Sequence, residues 1–430
     1  MIIYVVQKGD TISSIADQFK VSATRLALDN GIEEPGNLVP GETIVIAYPK
    51  KTYMVQEGDT LSGIADSQGI SLIQLLRNNP YLSDRDYIYP GEVLVISYDN
   101  HKGKIATNGF VNVFVDLEIL RKTLPFLSYL SVFGYRSTEN ADIIGIDDDE
   151  VICLAKQYKV APIMLLSTLT SEGRGSLEIS YKLLYNQKLI DKHIENILFI
   201  LRKKGYYGVN LTYQFITEDS RLAYENYTHK LVSRLHQEGF VVFITISENY
   251  IINADKLTFD KINFSEIGRL TDGVTVLNFN WSYSLGPPGP VTSVYLVKDF
   301  LDYVSTIIPN DKIDIGVPVI GYDWELPYII GINRANSLTL ASSISLAKET
   351  GASIMFDEVS QTPYFRYLDE RGGIPKQHIV WFVDARTIES VMDLVMYYMA
   401  NGIGVWTIME YYPQMWLVIN SQYEIQTVLT

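Results

Sequence analysis

The chain has 430 residues, 35 basic and 50 acidic, for a net charge of −15. With 47% hydrophobic and 20% charged residues it can bury a large core, which excludes wholesale disorder and a fibrous repeat. The acidic excess argues against nucleic acid or an anionic membrane as the main partner. The start, Met1-Ile2-Ile3-Tyr4, lacks a basic segment and a cleavage site, and no apolar run approaches the ~18 residues of a membrane span. Synthesis in the cytoplasm without a signal peptide is expected. The single cysteine, Cys153, sits in the apolar stretch Val151-Ile152-Cys153-Leu154-Ala155 and is expected to be buried as a small hydrophobe.

The first predicted elements form a repeat. Tyr4-Val5-Val6-Gln7-Lys8-Gly9-Asp10-Thr11-Ile12-Ser13 returns as Tyr53-Met54-Val55-Gln56-Glu57-Gly58-Asp59-Thr60-Leu61-Ser62. Pro40-Gly41-Glu42-Thr43-Ile44-Val45-Ile46 returns as Pro90-Gly91-Glu92-Val93-Leu94-Val95-Ile96. Each copy reads as strand, helix, helix, strand: an alternating opening, a Gly-Asp-Thr turn able to cap a helix, helical spacing of Ile12, Ile15, Ala16 and Phe19, a second helix ended by Asn30-Gly31, and a Pro-Gly turn into an apolar strand. Both copies resemble the LysM module, over residues 1–48 and 52–98. That resemblance implies binding of N-acetylglucosamine-containing glycans such as peptidoglycan and chitin. The implied groove lies between Gly9-Asp10-Thr11-Ile12 and the loop from Asn30 to Leu38, and in the second copy between Gly58-Asp59-Thr60-Leu61 and Asn79-Pro80-Tyr81. A turn that only caps a helix is the alternative.

A short polar stretch from Tyr98 to Lys104 marks a boundary, and residues 104–430 alternate apolar strands with amphipathic segments. Predicted strands are Phe110–Val115, Tyr129–Tyr135, Ala161–Ser167, Gly208–Tyr213, Val241–Ser247, Val274–Phe279, Ile313–Ile320 and Gly402–Ile408. Helical patterns fall between most of them, such as Leu189–Lys204, Arg221–Glu238 and Thr387–Ala400. Eight strands at this spacing predict an α/β fold, a (β/α)8 barrel, with a doubly wound open sheet as the alternative. Residues 323–381 approximately, with a helix (Ser337–Thr350) and a hairpin, read as a small α+β insertion after strand seven.

The fourth strand, Tyr207-Gly208-Val209-Asn210-Leu211-Thr212-Tyr213-Gln214, resembles the strand-four motif of glycoside hydrolase family 18, Asp-Gly-x-Asp/Asn-x-Asp-aromatic-Glu. In that family the final Glu protonates the glycosidic oxygen, and the Asp before it orients the substrate's own acetamido nucleophile. Here Tyr207 stands at the first Asp position, Thr212 at the assisting Asp and Gln214 at the acid; only Asn210 is within the family's range. An amide carries no proton to donate near neutral pH, and general acid catalysis is worth ~10²–10⁴-fold. The family's strand-six Tyr, which binds the acetamido oxygen, corresponds to Phe279 within Leu277-Asn278-Phe279-Asn280-Trp281.

Other segments resemble the spore-cortex-lytic members of the family: Trp281 with Gly286-Pro287-Pro288-Gly289-Pro290, then Gly321-Tyr322-Asp323-Trp324-Glu325-Leu326-Pro327, Val380-Trp381-Phe382-Val383-Asp384-Ala385-Arg386, and Gly402-Ile403-Gly404-Val405-Trp406. The resemblance implies substrate contacts at Phe279, Asn280, Trp281, Tyr322, Asp323 and Trp406, with Trp281, Trp324 and Trp406 able to stack on sugar rings. Glu218, Asp219, Asp323 and Glu325 are the carboxylates weighed as substitutes for the lost acid. The five histidines show no metal-ligand spacing, and no metal or cofactor is expected.

Two readings follow from the resemblance. The chain is either a non-catalytic family 18 protein that binds peptidoglycan on the spore coat or cortex, with a coat protein as a further partner, or an active N-acetylglucosaminidase using a displaced carboxylate. A third, independent of it, is an intracellular α/β enzyme with a fortuitous repeat.

Overall fold

The computed structural model describes all residues except 84, 86, 100, 168–175, 214–215, 248–249, 254–255, 278–285, 371–374 and 430, and only the backbone of 250–253 and 256–258. Each N-terminal module is the expected βααβ unit. Ile2–Val5 pairs antiparallel with Thr43–Ile46, and Lys51–Met54 with Val93–Ser97. Between them run helices Ile12–Phe19 and Ala23–Asn30, and Leu61–Gln68 and Leu72–Asn78. Thr11 and Thr60 cap the first helix of each copy by accepting an N–H at 3.1 Å, a bond worth about 1 kcal/mol.

Eight parallel strands then close into a barrel: Lys104–Asn112, Tyr129–Ser137, Ala161–Ser167, Gly208–Tyr213, Val241–Ser247, Gly273–Leu277, Ile313–Pro318 and Gly402–Trp406. The first pairs with both the second and the eighth, which excludes the open sheet. Glycines permit the tight strand contacts. A Cβ at Gly208 would lie 2.2 Å from the Val241 carbonyl oxygen, and one at Gly402 would lie 1.8 Å from that of Ala106. Strands three, four and five match their sequence-based limits, whereas the first begins earlier, at Lys104. The polar pair Thr107-Asn108, of which Asn108 faces inward with Phe110, interrupts the apolar pattern and hides that start. Helices Gln187–Lys204, Arg221–His236 and Ala385–Tyr398 pack outside the barrel.

Cys153 departs from expectation: it is exposed on helix Asp149–Gln157, whose Val151, Ile152, Leu154 and Ala155 face the barrel. An apolar run on a helix cannot bury every side, and Cys153 is the residue rotated out.

The insertion is a five-stranded antiparallel sheet, in the order Asn336–Leu338, Gly321–Leu326, Lys376–Trp381, Thr362–Asp369, Met355–Asp357, with helix Leu340–Glu349. Its second strand is Gly321–Leu326, so the segment read as the end of strand seven belongs to the insertion, which starts slightly before residue 323.

Both modules are seated on the barrel. Val39, Val45, Val95 and Tyr98 join the barrel's own hydrophobic core. Arg25 of the first module donates to Asn79 Oδ1 and the Asn78 carbonyl of the second, each at 2.9 Å. Ile354 in the insertion donates its N–H to the Pro40 carbonyl at 2.8 Å, and Thr43 donates to Gln414 at 2.8 Å.

At the barrel floor Asp314 is enclosed, with Asn401 donating to it at 2.8 Å, and burial pushes its carboxyl from near 3.8 up to about 7. The native state therefore keeps a proton that the unfolded chain has lost between about pH 4 and 7. Stability from this group falls as pH rises through that window and levels off above it. Asp314→Asn keeps the acceptor for Asn401 and removes the buried charge. The variant is expected to match the wild type near pH 4 and to exceed it by roughly 2–4 kcal/mol at pH 8, read from urea midpoints.

Candidate active site in the barrel mouth

Residues two apart on a strand share a face, and the fourth strand obeys this strictly. Val209 and Leu211 join the outer core, and the Tyr213 hydroxyl meets Thr228 Oγ1 at 2.7 Å on helix Arg221–His236. Asn210 and Thr212 therefore face inward. Asn210 is fully buried and its Oδ1 accepts from Thr245 at 2.8 Å. Asn210 Nδ2 and Thr212 Oγ1 have no hydrogen-bond partner among the described residues.

Tyr207 is elsewhere. It precedes the strand at its N-terminal end, its ring 6.4 Å from that of Tyr129, about 17 Å from Thr212 at ~3.3 Å per residue. It does not share the mouth with Asn210 and Thr212. Gln214, Phe279, Asn280 and Trp281 lie outside the described residues.

The same alternation identifies the described inward residues nearest the mouth: Asn112, Phe133, Ser167, Thr212, Ser247, Leu277, Pro318 and Trp406, with Phe110 and Leu165 one layer below. None carries a carboxylate. Trp406 is half-buried, with ring centroids 5.2 Å from Phe110 and 5.5 Å from Phe133. A break in register near Gly134 turns Arg136 inward, opposite Ser167. This half-buried cation was not singled out from sequence, because simple alternation cannot foresee a register break.

The insertion places the remaining expected residues. Trp324 is completely buried, packed with Ala335 and Ile379, its Nε1 donating to the Gly286 carbonyl at 3.0 Å. It cannot stack on a sugar, because one face of the sheet closes over it. Asp323 points to the opposite face and is 5% exposed; Tyr367 and the His378 ring nitrogen hold its two oxygens at 2.9 Å each. It is a partnered group inside the insertion, not a carboxylate in the mouth. Tyr322 is half-buried beside Trp381, which stacks on Tyr364 at 4.6 Å. Glu325 pairs with Lys376 at 2.8 Å, and Glu218 with Arg221 at 2.8 Å, which holds the Glu218 carboxyl below its usual range. Asp219 is exposed on the same loop.

In the modules, many of the expected groove residues are spent on structure. Asp10 accepts from the Tyr4 hydroxyl and the Gln7 N–H at 2.7 Å each, and Asp59 repeats this with Tyr53 and Gln56. Gly9 and Gly58 take φ of +93° and +83°, which side-chain-bearing residues rarely adopt. Asn30 and Asn79 are buried, and each bonds its own helix and the closing strand. Their side chains staple the module and are not available to a glycan. Ile12 donates its N–H to the Pro35 carbonyl at 3.0 Å, tying together the two loops of the first groove. Leu61 and Pro80 are half-buried at the matching edges of the second.

Among the described residues there is no cluster of metal-binding side chains and no helix long and apolar enough to cross a membrane.

Comparison with known proteins agrees with this architecture. LysM domains match residues 4–47 and 53–97, and glycosyl hydrolases family 18 matches residues 166–410. The cortical fragment-lytic enzyme of Bacillus subtilis (strain 168) is 28% identical over 99% of both chains. Crystal structures of the spore cortex-lytic enzyme SleL are similar throughout. That from Bacillus megaterium QM B1551 has a TM-score of 0.81 at 26% identity, and that from Bacillus cereus 0.80 at 25%, each over 99% of both chains.

Proposed function

This chain belongs to glycosyl hydrolases family 18, and from that premise we propose that it is a protein of the bacterial spore envelope that binds peptidoglycan or a related N-acetylglucosamine polymer without cleaving it. The observation that carries the reading is the chemistry of the mouth. Among the described residues the inward ones nearest it bear no carboxylate, and the sequence has Thr212 and Gln214 where the family motif has Asp and Glu. Without a proton donor the leaving oxygen departs as an alkoxide, and without the Asp the developing oxazolinium has no counter-charge. Trp406, and the Asn210 amide and Thr212 hydroxyl, which have no partner among the described residues, remain able to hold a sugar. The two LysM domains supply further attachment. Likeness to spore cortex-lytic enzymes along the whole chain supports deposition on the spore coat or cortex.

That same likeness favours a second reading, hydrolysis through a displaced carboxylate. Glu218 and Asp323 suit it poorly, since one is held ionised by Arg221 and the other is enclosed. Incubating the purified chain with spore cortex separates the readings. The first expects co-sedimentation with no reducing ends released. Steady release at a rate well above buffer would overturn it and support the second.

A further inference from the structure

Where the first module meets the barrel rim there is a cleft of about 340 Å³, within the size range of small-molecule sites. Three parts wall it: the module segment ending at Glu42 and Thr43, the insertion helix Leu340–Glu349, and the segments beyond barrel strands seven and eight, including Glu410. The cations at its edge are engaged. Lys348 pairs with Glu34, while Arg386 pairs with Asp384 at 2.6 Å and donates to the Gly41 carbonyl at 3.2 Å.

Of the other carboxylates lining the cleft Glu33 is exposed, and two are enclosed, Glu42 and Glu410. Glu42 is 5% exposed and accepts one N–H, from Val39 at 3.0 Å. Glu410 is half-buried and accepts a hydrogen bond from the Thr339 hydroxyl. Among the described residues neither has a cation within ion-pairing distance; Lys348, already paired with Glu34, acts on Glu42 only from farther away. The repeat provides an internal control: Glu92, at the same place in the second module, is held by Arg85 at 2.8 Å. Burial pushes the Glu42 carboxyl up to about 7 and raises that of Glu410. Enclosed carboxylates without a directly paired cation are costly, and a ligand cation would relieve that cost. Leu340, Ile344, Phe382 and Tyr411 give the same cleft an apolar wall.

We propose that this cleft binds an alkylammonium group, its aliphatic stem along Leu340 and Ile344 and its charge on Glu42 and Glu410. The class of ligand is a short peptide whose diamino-acid side chain ends in a free amine. The proposal rests on the peptidoglycan reading only in so far as peptidoglycan carries such peptides.

Calorimetric titration of the full chain with the tripeptide L-Ala–γ-D-Glu–L-Lys, and with its Nε-acetyl form, tests it. Binding of the free amine is expected, weakened roughly 10-fold or more by acetylation and by Glu410→Gln, in line with loss of a charge-assisted hydrogen bond. Glu42→Gln should weaken it similarly while keeping the Val39 bond, with a thermal melt confirming that the variant folds. Equal binding of both peptides, or binding of neither, overturns the proposal. Cortex co-sedimentation is scored separately: if it persists while the tripeptide fails, the cleft assignment falls and the peptidoglycan reading stands.

Discussion

Replacing Thr212 with Asp and Gln214 with Glu in one chain is expected to produce measurable release from a chromogenic N-acetylglucosamine oligomer, where the parent shows none. The Asp restores a counter-charge for the oxazolinium, and the Glu restores a group that protonates the leaving oxygen. General acid catalysis alone contributes ~10²–10⁴-fold, so the double variant should exceed Thr212→Asp by a factor in that range. Thr212 faces inward on a strand whose outward partners, Leu211 and Tyr213, are fixed against the outer helices, so the new carboxylate enters the mouth with little change in packing. Adding Phe279→Tyr should raise the rate again by supplying the hydroxyl that holds the acetamido oxygen. The decisive measurement is the parent rate. A parent as fast as the double variant would show that these two positions do not limit hydrolysis.

The second large effect concerns how the modules are seated. Gly41 and Gly91 occupy equivalent turns, both at φ +91°. A Cβ on Gly91 meets nothing within 4 Å, whereas one on Gly41 would lie 1.9 Å from the Ile354 carbonyl oxygen. Gly91→Ala therefore measures the cost of the left-handed backbone alone, about 1–2 kcal/mol. Gly41→Ala adds a collision with the insertion's backbone, and a further ~1–3 kcal/mol is expected from overpacking. The collision also breaks the Ile354 to Pro40 bond, so Gly41→Ala, and not Gly91→Ala, should enlarge the radius of gyration in solution scattering. Equal urea midpoints and equal radii for the two variants would mean that the first module is not held against the insertion in solution.

The seating bears on function. Modules tethered by loose linkers would concentrate the barrel near a polymer without orienting it. Here Arg25 bridges the two modules, and the buried Arg77 of the second donates to the Ile425 carbonyl on the barrel side at 3.4 Å. A glycan or peptide held by either module therefore stands at a set angle to the mouth. The cleft at Glu42 exists only because of this arrangement.

Much of the molecule was legible in the amino-acid order. The LysM repeat, the eight-strand alternation and the substitutions at 212 and 214 are local patterns, and local geometry converts them directly into strands, capped helices and an inward-facing face. What a residue does after the chain closes was not legible, because it depends on partners distant in sequence. Asn30 and Asn79 look like amides at the edge of a glycan groove until the closing strands Thr43–Ile46 and Val93–Ser97 arrive to bond them. Trp324 looks like a sugar platform and Asp323 like a mouth carboxylate. Pairing of Gly321–Leu326 inside the insertion sheet buries one on each face. Period and spacing decide which face of an element a side chain takes. Only tertiary packing decides whether that face meets solvent, a ligand or another part of the same chain.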